Sequence, residues 1–182
     1  MLNLKYHLTE EEYFDYNYYT CWAAPEKKNY RMWYYLRVFI LYSAVAGLYI
    51  FSRRSDQIFI DLIIFCVIAI IYFLMVPYLI KRSILRRVRS ILAKPENHHV
   101  LEEAEVTLSD AGIVDKDTAT ESKYTWEAIV KKAETPACYY LYTSTYHAIV
   151  IPRRVIVTPS DKQELERLFN AYLPLSSEFP TK

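Results

Sequence analysis

Ile58-Phe59-Ile60-Asp61-Leu62-Ile63-Ile64-Phe65-Cys66-Val67-Ile68-Ala69-Ile70-Ile71-Tyr72-Phe73-Leu74-Met75-Val76-Pro77-Tyr78-Leu79-Ile80 is a run of 23 residues with a single charge. A helix rises about 1.5 Å per residue and a bilayer's hydrocarbon core is about 30 Å thick, so the run is long enough to cross it. Upstream, the polar residues Ser52 to Gln57 separate it from a second apolar run, Met32 to Phe51, of 20 residues. In lipid every backbone N–H and C=O must be satisfied within its own segment, so both runs read as helices and the pair as a transmembrane hairpin. The competing reading is a buried helical hairpin of a soluble protein, which has no need of two runs this long.

The flanking charges orient the hairpin. Lys27, Lys28 and Arg31 precede residues 32–51, and Lys81, Arg82, Arg86, Arg87 and Arg89 follow residues 58–80, whereas the connecting turn carries only Arg53 and Arg54. Cations stay on the cytoplasmic face, which predicts an integral protein of the cytoplasmic membrane with both termini inside. Trp22, Tyr30, Trp33, Tyr34 and Tyr35 crowd the inner end of the first span, where headgroups favour amphipathic rings. Ser43 and Gly47 share a helix face and would allow close packing against residues 62–66.

Two charges fall inside the spans. Arg37 lies near the inner boundary, where its stem can snorkel, and Asp61 lies near the outer turn, within reach of Arg53 or Arg54. In an antiparallel hairpin Arg37 falls opposite about position 72, roughly 16 Å from Asp61 at 1.5 Å per residue, too far for one relay. Both read as structural anchors, with an ion or proton pathway as the alternative.

Residues 81–95 continue as a basic amphipathic helix with Ile84, Leu85, Val88, Ile91 and Leu92 on one face. Lys81, Arg82, Arg86, Arg87 and Arg89 are therefore the candidate contacts for anionic lipid headgroups, along the inner leaflet. The same cations also serve as the positive-inside stop signal. Pro95 closes the helix.

The remainder reads as a small α+β unit. Residues 1–31 hold an alternating strand, Leu2 to Leu8, and a capping box in which Thr9 and Glu12 open a short helix through Tyr13, Phe14 and Tyr16. The strand needs a sheet to join, and residues 96–174 supply one: strands at His99–Leu108, Ile113–Lys116, Thr118–Tyr124, Ala128–Glu134, Ala137–Thr143 and Tyr146–Ile151, then a helix begun at Thr158-Pro159 and stopped by Pro174. The layout is a curved antiparallel sheet or open barrel plugged by the C-terminal helix, with residues 175–182 as a polar tail.

The chemistry is spare. Gly47 and Gly112 are the two glycines, so no backbone loop cradles phosphates and nucleotide binding is not expected. His98 and His99 read as solvated, without a third ligand at metal spacing, and no catalytic residue, cofactor or metal site is expected. Cys21, Cys66 and Cys138 fit reduced thiols. Glu102, Glu103 and Glu105 read as a charged exposed strand edge, and Trp126 as core. The 18 tyrosines lie largely beside the spans without an interleaved basic groove, which argues against nucleic acid. Residues 100–182 carry nine Lys/Arg against thirteen Asp/Glu, a charge of −4.

Several stretches are similar to the YcxB-like family of bacterial membrane proteins: Tyr6-x-Leu8-Thr9 with Tyr13 and Tyr16, the central hairpin, Gly112-Ile113, Tyr124-x-Trp126-x-x-Ile129, Tyr139 to Tyr142, and Ala148-x-Val150-Ile151-Pro152-Arg153-Arg154. The resemblance covers nearly the whole length, departing at Val155, where the family pattern has an aromatic. It implies a cytoplasmic pleckstrin-homology-like domain on two membrane helices, and no established activity. Folds of that kind bind phosphoinositides through basic loops, whereas Asp110, Asp115 and Asp117 occupy the corresponding region and Arg153-Arg154 is its only arginine pair. The expected function is a non-enzymatic, membrane-anchored module for a protein partner; the alternative is an ion-handling component using Arg37 and Asp61.

Overall fold

A computed structural model describes residues 1–53, 57–118 and 120–173, with the side chains of Arg53 and His98 set aside. The chain forms two units: residues 18–86, and a discontinuous unit of residues 1–17 together with residue 87 onward. The architecture is α+β, with two long apolar helices, two antiparallel sheets and a C-terminal helix.

In the discontinuous unit, β1 (Leu2–His7) alternates buried and exposed residues and pairs antiparallel with β2 (Glu103–Ser109), Leu2 opposite Leu108 and His7 opposite Glu103. The expectation that the N-terminal strand joins the C-terminal sheet holds. β3 (Gly112–Lys116) and β4 (Glu121–Tyr124) complete a four-stranded sheet, β1-β2-β3-β4. β5 (Lys131–Glu134), β6 (Cys138–Tyr142) and β7 (Ala148–Pro152) make a second, three-stranded sheet, so the strands expected to form a curved sheet or open barrel fall into two sheets. The chain divides the sheets at a 3-10 turn, Trp126–Ala128, where the buried Trp126 donates Nε1–H to the Ser109 carbonyl at 2.9 Å. This turn is why the strand read at 128–134 starts only at Lys131.

The capping box forms as read: the Thr9 amide donates to Glu12 Oε2 at 2.9 Å and the Glu12 amide to Thr9 Oγ1 at 3.1 Å, opening α1 (Glu10–Tyr18). α4 (Pro159–Tyr172), capped by Thr158, buries Leu165, Leu168 and Phe169 in the core with Leu4, Val106, Leu108, Ile113, Leu141 and Ile151. A residue range starting at 96 therefore omits β1, whose Leu2, Leu4 and Tyr6 belong to the same core.

Two strand starts shift in the four-stranded sheet, and one expected edge is internal. Residues His99 to Leu101 are not strand: Pro95 opens a 3-10 segment, Pro95–Leu101, because β1 ends at His7 and leaves no partner beyond Glu103. β4 begins at Glu121 because the Asp117 carboxylate closes a turn on the Thr120 amide at 2.6 Å. β2 lies between β1 and β3, so its glutamates do not sit on a sheet edge; Glu105 accepts from Asn3 at 2.6 Å and faces Lys5 at 3.5 Å.

The hairpin unit contains α2 (Lys28–Arg53) and the first part of α3 (Ile58–Leu92). Both helices are long and apolar enough to cross a membrane, and none of either apolar window is buried. α3 runs unbroken past Ile80, with Pro77 inside it, so the basic segment 81–92 is the end of the second long helix and not a helix of its own. The seam between the helices is aromatic: Tyr42 donates its hydroxyl to the Phe65 carbonyl at 2.7 Å, and the Tyr42–Phe65, Tyr49–Phe65 and Tyr35–Phe73 rings lie 6.0, 5.5 and 5.7 Å apart. Ser43 and Gly47 face outward instead, and a Cβ on Gly47 would meet nothing within 4 Å. Tyrosines seven residues apart, at 35, 42 and 49, keep one face on the partner helix. Trp22 is buried under the edge-on rings of Tyr30, Tyr34 and Tyr35, so it is the centre of an aromatic knot; Tyr30 and Trp33 are exposed. Arg54 and the residues from Pro174 onward lie outside the described residues.

The glycines give opposite expectations. Gly112 has φ +141°, and a Cβ there would lie 2.4 Å from the Tyr124 carbonyl oxygen. Gly112→Ala should lower unfolding free energy by about 2–4 kcal/mol, whereas Gly47→Ala should leave the hairpin's thermal midpoint unchanged; detergent-solubilised thermal melts of both variants check this.

Candidate functional site

The residues singled out in the sequence do not converge. Asp61 lies on the stripe of α3 that continues through Phe65, Ala69, Phe73 and Val76, and its Oδ2 is buried with no hydrogen-bond partner among the described residues. Its suggested partners are Arg54, outside the described residues, and Arg53, whose side chain is set aside. Arg37 is exposed on α2 beside Tyr30, Trp33 and Tyr34, away from the seam. The two charges thus belong to different faces and form no relay.

Lys81, Arg82 and Arg86 in the hairpin unit, and Arg87 and Arg89 in the other, are all exposed. Arg89 is engaged with Glu10 on α1 at 2.8 Å. Arg82, Arg86 and Arg87 have no ion-pair partner among the described residues.

Arg153 and Arg154 are latches. Arg153 stacks over the Tyr139 ring at 4.1 Å, donates Nε–H to the Thr135 carbonyl at 2.7 Å and pairs with Glu134 at 3.0 Å. Arg154 grips Glu12 at 2.7 and 3.0 Å and donates to the His7 carbonyl. Burial raises the Glu12 pKa, but the Arg154 and Thr9 hydrogen bonds outweigh it and hold the carboxyl below its ordinary value. Asp110 is likewise committed, to Arg167 at 3.0 Å and to Tyr172 at 3.2 Å. Burial pushes the Cys138 thiol up to about 11, leaving it inert at neutral pH.

What the sequence reading missed lies between the sheets. A cavity of about 460 Å³ lies there, lined by residues of β1, β2, β3, β4 and the start of β7, by Tyr13 and Tyr16 of α1 and by His99. The register explains its chemistry. Residues directly opposite on antiparallel strands share a face. One inward row is Leu2, Leu108, Ile113 and Tyr124; the next is Leu4, Val106, Asp115 and Ser122. Asp115 thus stands on the core-facing side of the sheet, half-buried, inside the strand expected at 113–116 and not in the loop region that the resemblance implied. Its carboxylate makes no hydrogen bond or salt bridge with any described residue. Asp117 lines the same cavity, but Thr120 donates to both of its oxygens, at 2.6 and 3.1 Å. His99 is half-buried here, and His147 also lines the wall.

Tyrosines bridge the sheets around this space. Tyr6 donates to the Val150 carbonyl at 2.6 Å, and Tyr16 donates to the Tyr146 carbonyl at 2.7 Å while accepting from the Ala148 amide at 3.2 Å. The Asp115 carboxyl is pushed above its ordinary range by burial first and then by Asp117, with His147 opposing. Among the described residues no group of three His, Cys, Asp or Glu side chains could hold a metal ion.

These features define a two-sheet domain with a helical plug and an acidic, tyrosine-walled cleft, carried in a chain with two membrane-length helices. Residues 108–169 match the family model described as YcxB-like protein, which supports the family resemblance over that segment. The matched segment includes Asp115, Tyr124 and His147 but not Tyr6, Tyr13 or His99. No curated protein and no solved structure matches the chain.

A raised carboxyl pKa has a definite sign. The folded state holds the proton more tightly than the unfolded chain, so this group favours folding most below its ordinary value of 3.8 and loses that contribution as pH rises through the raised value. Asp115→Asn should therefore raise the thermal midpoint at pH 7, the gain shrinking as pH approaches 4; melts across that range check it.

Proposed function

We infer that the chain is a membrane-anchored, non-enzymatic interaction module of the bacterial cytoplasmic membrane: the hairpin spans the bilayer, Arg82, Arg86 and Arg87 meet anionic headgroups on the inner face, and the two-sheet unit engages a protein partner. The observation that carries this reading is that no residue in the apolar windows of α2 and α3 is buried, which leaves most of their outward apolar side chains exposed, a state that water penalises by about 25 cal/mol per Å² of apolar area. Connectivity supports the topology, because residues 17 and 87, at the two ends of the hairpin, belong to the same unit. Four strands, then three, then a closing helix support the pleckstrin-homology-like layout.

Alkaline carbonate extraction of cell membranes should leave the chain in the pellet, and a tag at Lys182 should resist protease until the cells are permeabilised. Release into the soluble fraction would overturn the anchor.

The ion-handling alternative draws on Asp61, which is the intramembrane carboxylate with a buried oxygen unmatched among the described residues. The outward-facing Arg37 weighs against it. In proteoliposomes Asp61→Asn should leave proton permeability unchanged; a fall relative to the wild-type chain would favour the pathway instead.

A further inference from the structure

The cavity between the sheets is a place where the fold departs from its own pattern. The inward face of the four-stranded sheet is apolar through Leu2, Leu108 and Ile113 and then, one row on, presents a carboxylate. A charge at a core-facing position is costly unless a counter-charge meets it, and no Lys or Arg lines the cavity to meet this one: His147 acts on it electrostatically from the exposed rim, Asp117 is engaged by Thr120, and the Asp115 carboxylate makes no hydrogen bond or salt bridge with any described residue.

We propose that this cavity is a binding site for an organic cation, an alkylammonium or alkylguanidinium group, held by the Asp115 carboxylate against the tyrosine rings beside it. Three observations choose that chemistry. The charge lining the cavity is acidic, which disfavours phosphates and carboxylates. No three metal-ligating side chains gather among the described residues, which disfavours a divalent ion. The walls include Tyr6, Tyr13 and Tyr124, and aromatic faces attract an organic cation at about 6 Å or less from the ring centroid. Because Tyr6 spends its hydroxyl on Val150, it offers the site a ring held in place. A volume of about 460 Å³ falls within the roughly 300–1,000 Å³ of small-ligand sites.

The cation has two sources: a free amine or guanidine, or the Lys or Arg side chain of a partner. The second rests on the interaction-module reading; the first does not. Isothermal titration of the full chain in an uncharged detergent would use n-butylammonium, n-butylguanidinium and an end-capped Ala-Arg-Ala peptide. Saturable binding by at least one probe is expected, weakened at least tenfold by Asp115→Asn and unchanged by Glu127→Gln, which alters an exposed acid outside the cavity. Tighter binding of the peptide than of n-butylguanidinium assigns the cation to a partner side chain; the reverse assigns it to a free small molecule. No saturable binding by any probe, or equal binding by the Asp115→Asn variant with its fold intact by circular dichroism, overturns the site. Binding that persists in a chain released by carbonate would keep the site and remove only the anchor.

Discussion

The backbone ladder between β1 and β2 is the constraint on which the rest depends. It joins residues 2–7 to residues 103–108, and all of the hairpin lies in the chain between them. Without β1 the four-stranded sheet loses an outer strand and the core loses Leu2, Leu4 and Tyr6. The ladder also obliges the two long helices to leave one folded unit and return to it.

The parts legible in the sequence were those governed by local rules. Alternation in Leu2, Leu4 and Tyr6, the Thr9–Glu12 box, the two long apolar helices and the Thr158 cap are each decided within a contiguous stretch of chain. What the sequence hid was decided by partners far along the chain. His99 to Leu101 alternate like a strand, but β1 offers nothing to pair with them. The small residues Ser43 and Gly47 drew the hairpin seam to the wrong face, although tyrosines at 35, 42 and 49 carried the correct one in their spacing. A bulky aromatic seam with a Tyr42 hydroxyl on the Phe65 carbonyl leaves room for no close backbone approach, so the outward position of Gly47 follows from it.

Arginine pairs illustrate the same limit. Arg153-Arg154 stood out as a basic patch, yet neither guanidinium is offered to a ligand. Each closes a separate gap in the fold, Arg153 across the β5–β6 turn and Arg154 from the end of β7 to the helix that follows β1. A guanidinium presents five donors in a fixed fork and so can satisfy carbonyls and a carboxylate at once. That use explains why two arginines sit directly after a fully buried strand, without invoking lipid or phosphate. The exposed arginines of α3 are placed differently: Arg82, Arg86 and Arg87 lack ion-pair partners among the described residues, whereas Arg89 is held by Glu10.

Asp115 is the residue for which residue type and position disagree most. By type, an aspartate after a glycine turn belongs to a loop; by register, it shares a row with Leu4 and Val106, both buried. A fold selected for stability alone has a simple remedy, an apolar side chain at that point, since burial already pushes the carboxyl above its usual range. Local conflict of this kind, in a unit whose other rows are consistently apolar, is what a binding site imposes on a sheet. Tyr6 ties the four-stranded sheet to β7 through the Val150 carbonyl, and Tyr16 ties α1 to the Tyr146 carbonyl and the Ala148 amide, so the walls of the cleft are braced by hydrogen bonds that do not consume the carboxylate. Stability is thus supplied around the cavity rather than in it, leaving Asp115 available to whatever enters.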